Sequence, residues 1–170
     1  MIWQLSNRAD PFARDIADRH YNRQKIGSPQ FVPPGRCVVL TAGTRDSGKA
    51  FWVTSWPFAE YVKHAWAGAW VCSAFRNEGA GVASEMIREA IAVTRFMYGD
   101  PPPLGMVTFI NRDKVKPTMV RGEAVWGWTW RKVGFREVGE TKGGLPAFVI
   151  PPIDMPPAAA PLGYQERIFA

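Results

Sequence analysis

The stretch GAWVCSAFRNEGAGVASEMIREAIAVTRFMYGDPPPLGMVTFIN, residues 68–111, changes its periodicity twice. It opens with GAWVCSAF (68–75), an aromatic and β-branched run of strand type. From Val82 the apolar positions become Val82, Ala83, Met86, Ile87, Ala90, Ile91, Thr94 and Met97, the spacing of one helix face. Ser84, Glu85, Arg88, Glu89 and Arg95 make the opposite, polar face. Gly99 and the DPPP run stop that helix, and GMVTFIN (105–111) reads as a second, buried strand. Strand, glycine turn, helix and strand form a βαβ unit, so the two strands are predicted to be parallel neighbours.

Upstream, IWQLS (2–6) reads as a short strand, and Asp10 before Pro11 is a helix start, with the helix expected from Pro11 to Tyr21. NRQKIGSPQFVPPG (22–35) is rich in proline, glycine and cationic side chains and reads as an ordered loop. RCVVLTAG (36–43) and AFWVTSW (50–56), parted by TRDSGK, read as an antiparallel hairpin. Downstream, EAVWGWTWRKVGF (123–135) alternates its tryptophans like a strand, yet places Trp126, Trp130 and Val133 on one helix face; helix is the choice, with Gly134 as its stop. FREVGETK and LPAFVI, around Gly143-Gly144, form a closing hairpin, and the Pro/Ala-rich tail after Ile150 is expected to be extended or disordered. The expectation is one α/β (α+β) domain over residues 1–150, a mixed twisted sheet flanked by helices, with residues 151–170 as a tail.

The chain has 170 residues, 46% hydrophobic and 21% charged, a soluble globular composition with room for a sizeable core. No apolar run is long enough to span a bilayer, and the N-terminus lacks the basic start and apolar block of a signal peptide, so a cytoplasmic protein with no membrane partner is expected. Cys37 and Cys72 sit in strand-like segments and read as reduced, buried thiols. A net charge of +6 biases the surface toward polyanions, nucleic acid or a phosphorylated cofactor. Eight tryptophans supply core volume and, for one or two of them, flat faces on which a base can stack.

At the centre of the opening stretch, a strand enters a helix through RNEGAG (76–81). The first-turn N–H groups there are unpaired and converge on one spot at the positive end of the helix dipole, where a pyrophosphate fits. Glycine at 79 and 81 permits close backbone approach, and Arg76 adds a charge-assisted donor. The competing explanation is steric, since strand-to-helix turns often hold glycine. A Walker loop is absent, and the dinucleotide fingerprint fails at Ser84, which argues against ATP and NAD.

RNEGAG resembles the Arg/Gln-x-x-Gly-x-Gly/Ala loop of the GNAT superfamily of N-acetyltransferases, and WRKVGF (130–135) resembles that superfamily's Tyr-x-x-x-Gly-Phe segment, in the right order and with a strand between. The resemblance implies that Arg76, Asn77, Glu78, Gly79, Ala80, Gly81 and Val82 cradle acetyl-CoA or another acyl-CoA-type donor. Trp130 stands where that superfamily often has a tyrosine that protonates the thiolate, and it has no such proton to give. DRHYNRQKIGSPQFVPPGR (18–36), RNEG, TFINRDKVKP (108–117) and VGETKGGLPAF (138–148) together resemble the Mom family of phage-associated DNA-modification enzymes, over most of residues 1–150. That resemblance implies conversion of the N6 amine of adenine in double-stranded DNA to an acylamino or carbamoylmethyl-type group, which protects DNA from restriction in a bacterial host. The site it implies includes His20, Tyr21 and Asp113, with a metal ion, iron being the candidate, left open.

Each residue also has a plainer reading. His20 falls on the apolar face of the first helix and suits a satisfied core histidine; Asp113 in NRDKVK suits a turn that caps its own backbone. If functional, Asp113 accepts the amine's proton or orients His20. A metal centre needs at least three ligands, and His20, Tyr21, Asp113 and the more distant His64 have no diagnostic spacing. Arg19, Arg23, Lys25, Lys114, Lys116 and Arg121 fall in loops flanking the inferred cleft, where they neutralise DNA phosphates or are merely solvated. An adenine N6 in a duplex must be flipped out to be reached, and Tyr21, Phe31 and the tryptophans are candidates to stack on it. Two further readings stand beside DNA modification: an ordinary acetyltransferase for a small-molecule or protein amine, marked by an acidic cleft, and a DNA-binding module without chemistry. Monomer and homodimer are both compatible with the chain.

Overall fold

A computed structural model describes residues 1–29, 35–44 and 46–166. Nine strands and three α-helices appear among them: β1 (Gln4–Ser6), α1 (Pro11–Ala17), β2 (Arg36–Gly43), β3 (Lys49–Trp56), β4 (Trp70–Glu78), α2 (Ala83–Tyr98), β5 (Met106–Phe109), β6 (Thr118–Val120), β7 (Glu123–Val125), α3 (Trp128–Val133), β8 (Arg136–Glu140) and β9 (Pro146–Ile150). Seven strands form one mixed sheet in the order β1-β2-β3-β4-β5-β9-β8, and β6 and β7 pair separately as a two-stranded ribbon. The expected βαβ unit is present, since β4 and β5 are parallel neighbours joined through α2. All other neighbours are antiparallel, including the predicted β2–β3 and β8–β9 hairpins.

The apolar stripe of α2 buries Met86, Ile87, Ala90 and Ile91 against one sheet face, with Trp52, Trp70 and Phe148 opposite them. Val82 and Met97, expected on that stripe, are instead exposed, while Ala92 and Val93 are buried. The tail covers Ala92: after a 3-10 turn at Pro152–Asp154, Met155 enters the main core and Ala159 N–H donates to the Ala92 carbonyl. α1 covers part of the other face, placing Ala13, Ile16 and Ala17 on Phe51, Val53 and Ala74.

Two expectations need correction. The first helix ends at Ala17 rather than Tyr21, because Asp18 turns its carboxylate to Arg23 Nε (2.7 Å) and to the Gly27 N–H, which draws the chain into a turn. His20 therefore follows the helix instead of lying on it. The segment 123–135 is strand and then helix: β7 ends at Val125 and α3 starts at Trp128, with Gly127 at φ 71 between them. A Cβ on Gly127 would lie 2.7 Å from the Phe148 ring, so glycine is required there on two counts.

Candidate functional site

β4 and β5 pair only at Trp70↔Met106 and Val71↔Val107. Beyond that point β5 stays with β9 as far as Phe109↔Ala147, while β4 stays with β3 as far as Ala50↔Asn77. The two strands part, and a cavity of about 650 Å³ opens where they do. Its lining includes His20, Tyr21 and Asn22 from the turn after α1, and Asn111, Lys114 and Lys116 together with residues of the ribbon and α3.

A β-bulge helps to shape this site. The β3–β4 register runs from Val53↔Ala74 to Thr54↔Cys72, which leaves Ser73 as the extra residue. Its carbonyl accepts from Asn22 Nδ2 at 2.8 Å, and its hydroxyl meets Ser55 Oγ at 2.7 Å. Asn22 in turn holds His20, through a short contact between its Oδ1 and His20 Nδ1. His20 is buried, stacks on Tyr21 with ring centroids 4.6 Å apart, and meets the edge of Phe51.

Burial lowers the His20 pKa below the ordinary imidazole value, against the opposing pull of Asn22 and the Phe75 backbone. Burial also raises the Tyr21 pKa. At neutral pH the cavity wall therefore carries a neutral imidazole and a protonated phenol. The Cys72 thiol is pushed up by complete burial, so it behaves as a small apolar group and not as a nucleophile.

These shifts set an expected pH response. Folded His20 takes up a proton only at a lower pH than unfolded His20, so stability is full above the unfolded value near 6.5 and declines as pH falls from there. His64, also lowered by burial, contributes with the same sign. Glu78, held down to about 2 by Arg19 and Arg76, titrates well below that window. His20→Gln should flatten, between about pH 6.5 and 5, the decline in urea midpoint, leaving the His64 share; an unchanged decline would refute this assignment.

The remaining predicted residues are distributed unevenly. Asp113 lies outside the cavity lining, exposed, with its N–H on Asn111 Oδ1 in a local turn, which is the plainer of its two readings. The glycine turn lies beyond the cavity, at the end of β4. There Asn77 takes the Ala80 N–H and donates to the Gly81 carbonyl, Gly79 has φ 85, and Arg76 Nε pairs with Glu78 at 2.7 Å. Val82, the N-cap of α2, provides no side-chain cap, so the first-turn N–H groups remain available to an anion.

Of the six cations, Arg19 is paired with Asp15 and Glu78, and Arg23 is held by Asp18 and the Ser28 carbonyl. Lys25 is exposed, Arg121 tops the ribbon, and Lys114 and Lys116 line the cavity. Phe31 lies outside the described residues. Sequence reasoning missed Ser73 and Thr129, which line the cavity without any local motif to mark them.

Among the described residues, no group of three or more His, Cys, Asp or Glu side chains is gathered for a metal ion. His64 packs on Trp66 and Phe109, and Asp113 is outside the cavity lining. Nor is any helix among those residues long and apolar enough to cross a membrane. No family model, curated protein or solved structure matches the chain.

Proposed function

We propose that this chain is a GNAT-type transferase of the Mom kind, which modifies the N6 amine of adenine in double-stranded DNA with an acyl-CoA-type donor. One observation carries the reading. Among the described residues, the cavity lining contains Lys114 and Lys116 and no aspartate or glutamate, so it suits a neutral base on an anionic backbone and repels a cationic amine. Its volume is in the range of ligand sites, and Tyr21 and Trp128 offer flat faces to a base.

The residues have separable tasks in this reading. The exocyclic amine would lose a proton to neutral His20 as its nitrogen bonds to the donor carbon, with Asn22 Oδ1 placed to stabilise the imidazolium, while that carbon's bond to the donor's sulfur breaks and the thiolate leaves with a proton from the Tyr21 phenol. Trp130 packs on Trp52 and Phe135, so position 130 offers core volume and no acidic proton. Tyr21 brings to the cavity the phenol that position 130 lacks. The open first turn of α2 and Arg76 are the groups for the donor's phosphates, and such a donor supplies the activated carbon.

Nucleosides digested from plasmid DNA of cells expressing the protein should include a heavier deoxyadenosine, whose mass gives the group added. His20→Ala should abolish it. Unmodified DNA from soluble protein that nevertheless binds duplex would favour the binding module, and unmodified DNA without binding would favour an amine acetyltransferase.

A further inference from the structure

The β6–β7 ribbon stands outside the seven-stranded sheet, and its two faces differ. The register pairs Thr118↔Val125, Met119↔Ala124 and Val120↔Glu123. Thr118 and Val125 line the cavity, so alternation puts Met119 and Ala124 on the opposite face, where Met119 is 64% exposed. A two-stranded ribbon is marginal in water, and a large apolar side chain on its outer face adds nothing to folding.

The ribbon is nevertheless firmly rooted. Trp126 Nε1 donates to the Val115 carbonyl at 3.0 Å across its base, Arg112 lies over the Trp126 ring, and Arg112 pairs with Glu137 and Glu140. Its tip is narrow: Arg121 at φ 51 and Gly122 at φ 82 form a two-residue turn between Val120 and Glu123. Within the ribbon Arg121 and Glu123 balance, and the two cations beside it, Lys114 and Lys116, lie on the segment that leads into β6.

We propose that this ribbon enters the major groove and that Met119 fills the gap left in the base stack when adenine is extruded. The proposal deepens the DNA-modification reading and rests on it. The major groove is about 12 Å wide, admits a two-stranded ribbon and displays the N6 amine. A methionine is one of the apolar wedges that proteins insert between base steps. With one ribbon face walling the cavity and the other presenting Met119, a base in the cavity is separated from its stack by the thickness of the ribbon, which is what extrusion requires.

The test uses duplex and single-stranded DNA carrying 2-aminopurine in place of adenine, whose fluorescence rises on unstacking, with binding followed by anisotropy. The native protein should raise the duplex signal. Met119→Ala should lower that rise about tenfold, leave single-strand binding and the thermal midpoint unchanged, and be rescued by Met119→Leu. An equal rise in native protein and Met119→Ala would overturn the wedge and leave the DNA reading standing, as would duplex binding without any rise while nucleoside masses show modification. Absence of DNA binding by the native protein would overturn both.

Discussion

Gly48→Ala should destabilise the domain by about 3 kcal/mol, lowering its urea midpoint by roughly 1.5 M. Gly48 lies in the β2–β3 connection, and a Cβ there would stand 2.1 Å from the Gly79 carbonyl carbon and oxygen and 2.5 Å from the Ala80 nitrogen. All three are backbone atoms, so no side chain can rotate away, and relief requires moving either the connection or the glycine turn. Neither moves alone, because Lys49 bridges to Gly79 and the turn leads directly into α2, whose buried stripe is fixed by the core. Gly81→Ala is the matched control. Position 81 lacks a positive φ, and its nearest neighbour would be the flexible Met86 side chain at 3.4 Å, so the midpoint should hardly move. The pair also separates the two explanations for glycine in this turn. If the turn holds phosphates, Gly81→Ala keeps the fold and weakens CoA binding; if the glycines are only steric, Gly48→Ala alone has an effect. A Gly48→Ala midpoint equal to the native one would refute the packing account.

The parts of the fold that were legible in the sequence are those written by local periodicity. The βαβ unit, the β2–β3 hairpin and the Asp10 cap followed strand and helix patterns, and each is present. What escaped depends on partners distant in the chain. Helix α1 stops early because Asp18 engages a loop not yet formed when the helix is read residue by residue. The segment around Trp126, Trp128 and Trp130 matched both strand alternation and a helix face because it is both strand and helix, and the Phe148 ring behind Gly127 marks where one becomes the other. The shape of the cavity had no local signature: it arises because β5 follows β9 while β4 follows β3, a divergence of pairings and not of residues. Charge shows the same limit. Arg19 reads as a free cation until Glu78, distant in sequence, takes two of its nitrogens at 2.8 and 2.7 Å.

Lys114→Ala/Lys116→Ala should weaken duplex binding at physiological salt by about tenfold or more and flatten the slope of log affinity against log salt by roughly 2. Both side chains are exposed at the cavity wall, on the segment that runs from β5 into the ribbon, and among the described residues no carboxylate lines the cavity beside them. Each lysine that neutralises a phosphate releases about one counterion, so the loss appears in the salt dependence as well as in the affinity. The slope distinguishes direct contact from misfolding, since a damaged fold would lose affinity without a defined change of two ions. Stability should be unaffected, because neither lysine takes part in an ion pair among the described residues. Arg19→Ala offers the contrast: its charge is already balanced by Asp15 and Glu78, so the same experiment should show a smaller change in slope. For a cationic amine acceptor the sign reverses. Removing two positive charges from the wall of the cavity would then raise kcat/KM, because a like-charge repulsion disappears as substrate enters. One double variant, read against salt with duplex and against turnover with an amine, therefore separates a polyanion site from an amine site by the direction of its effect.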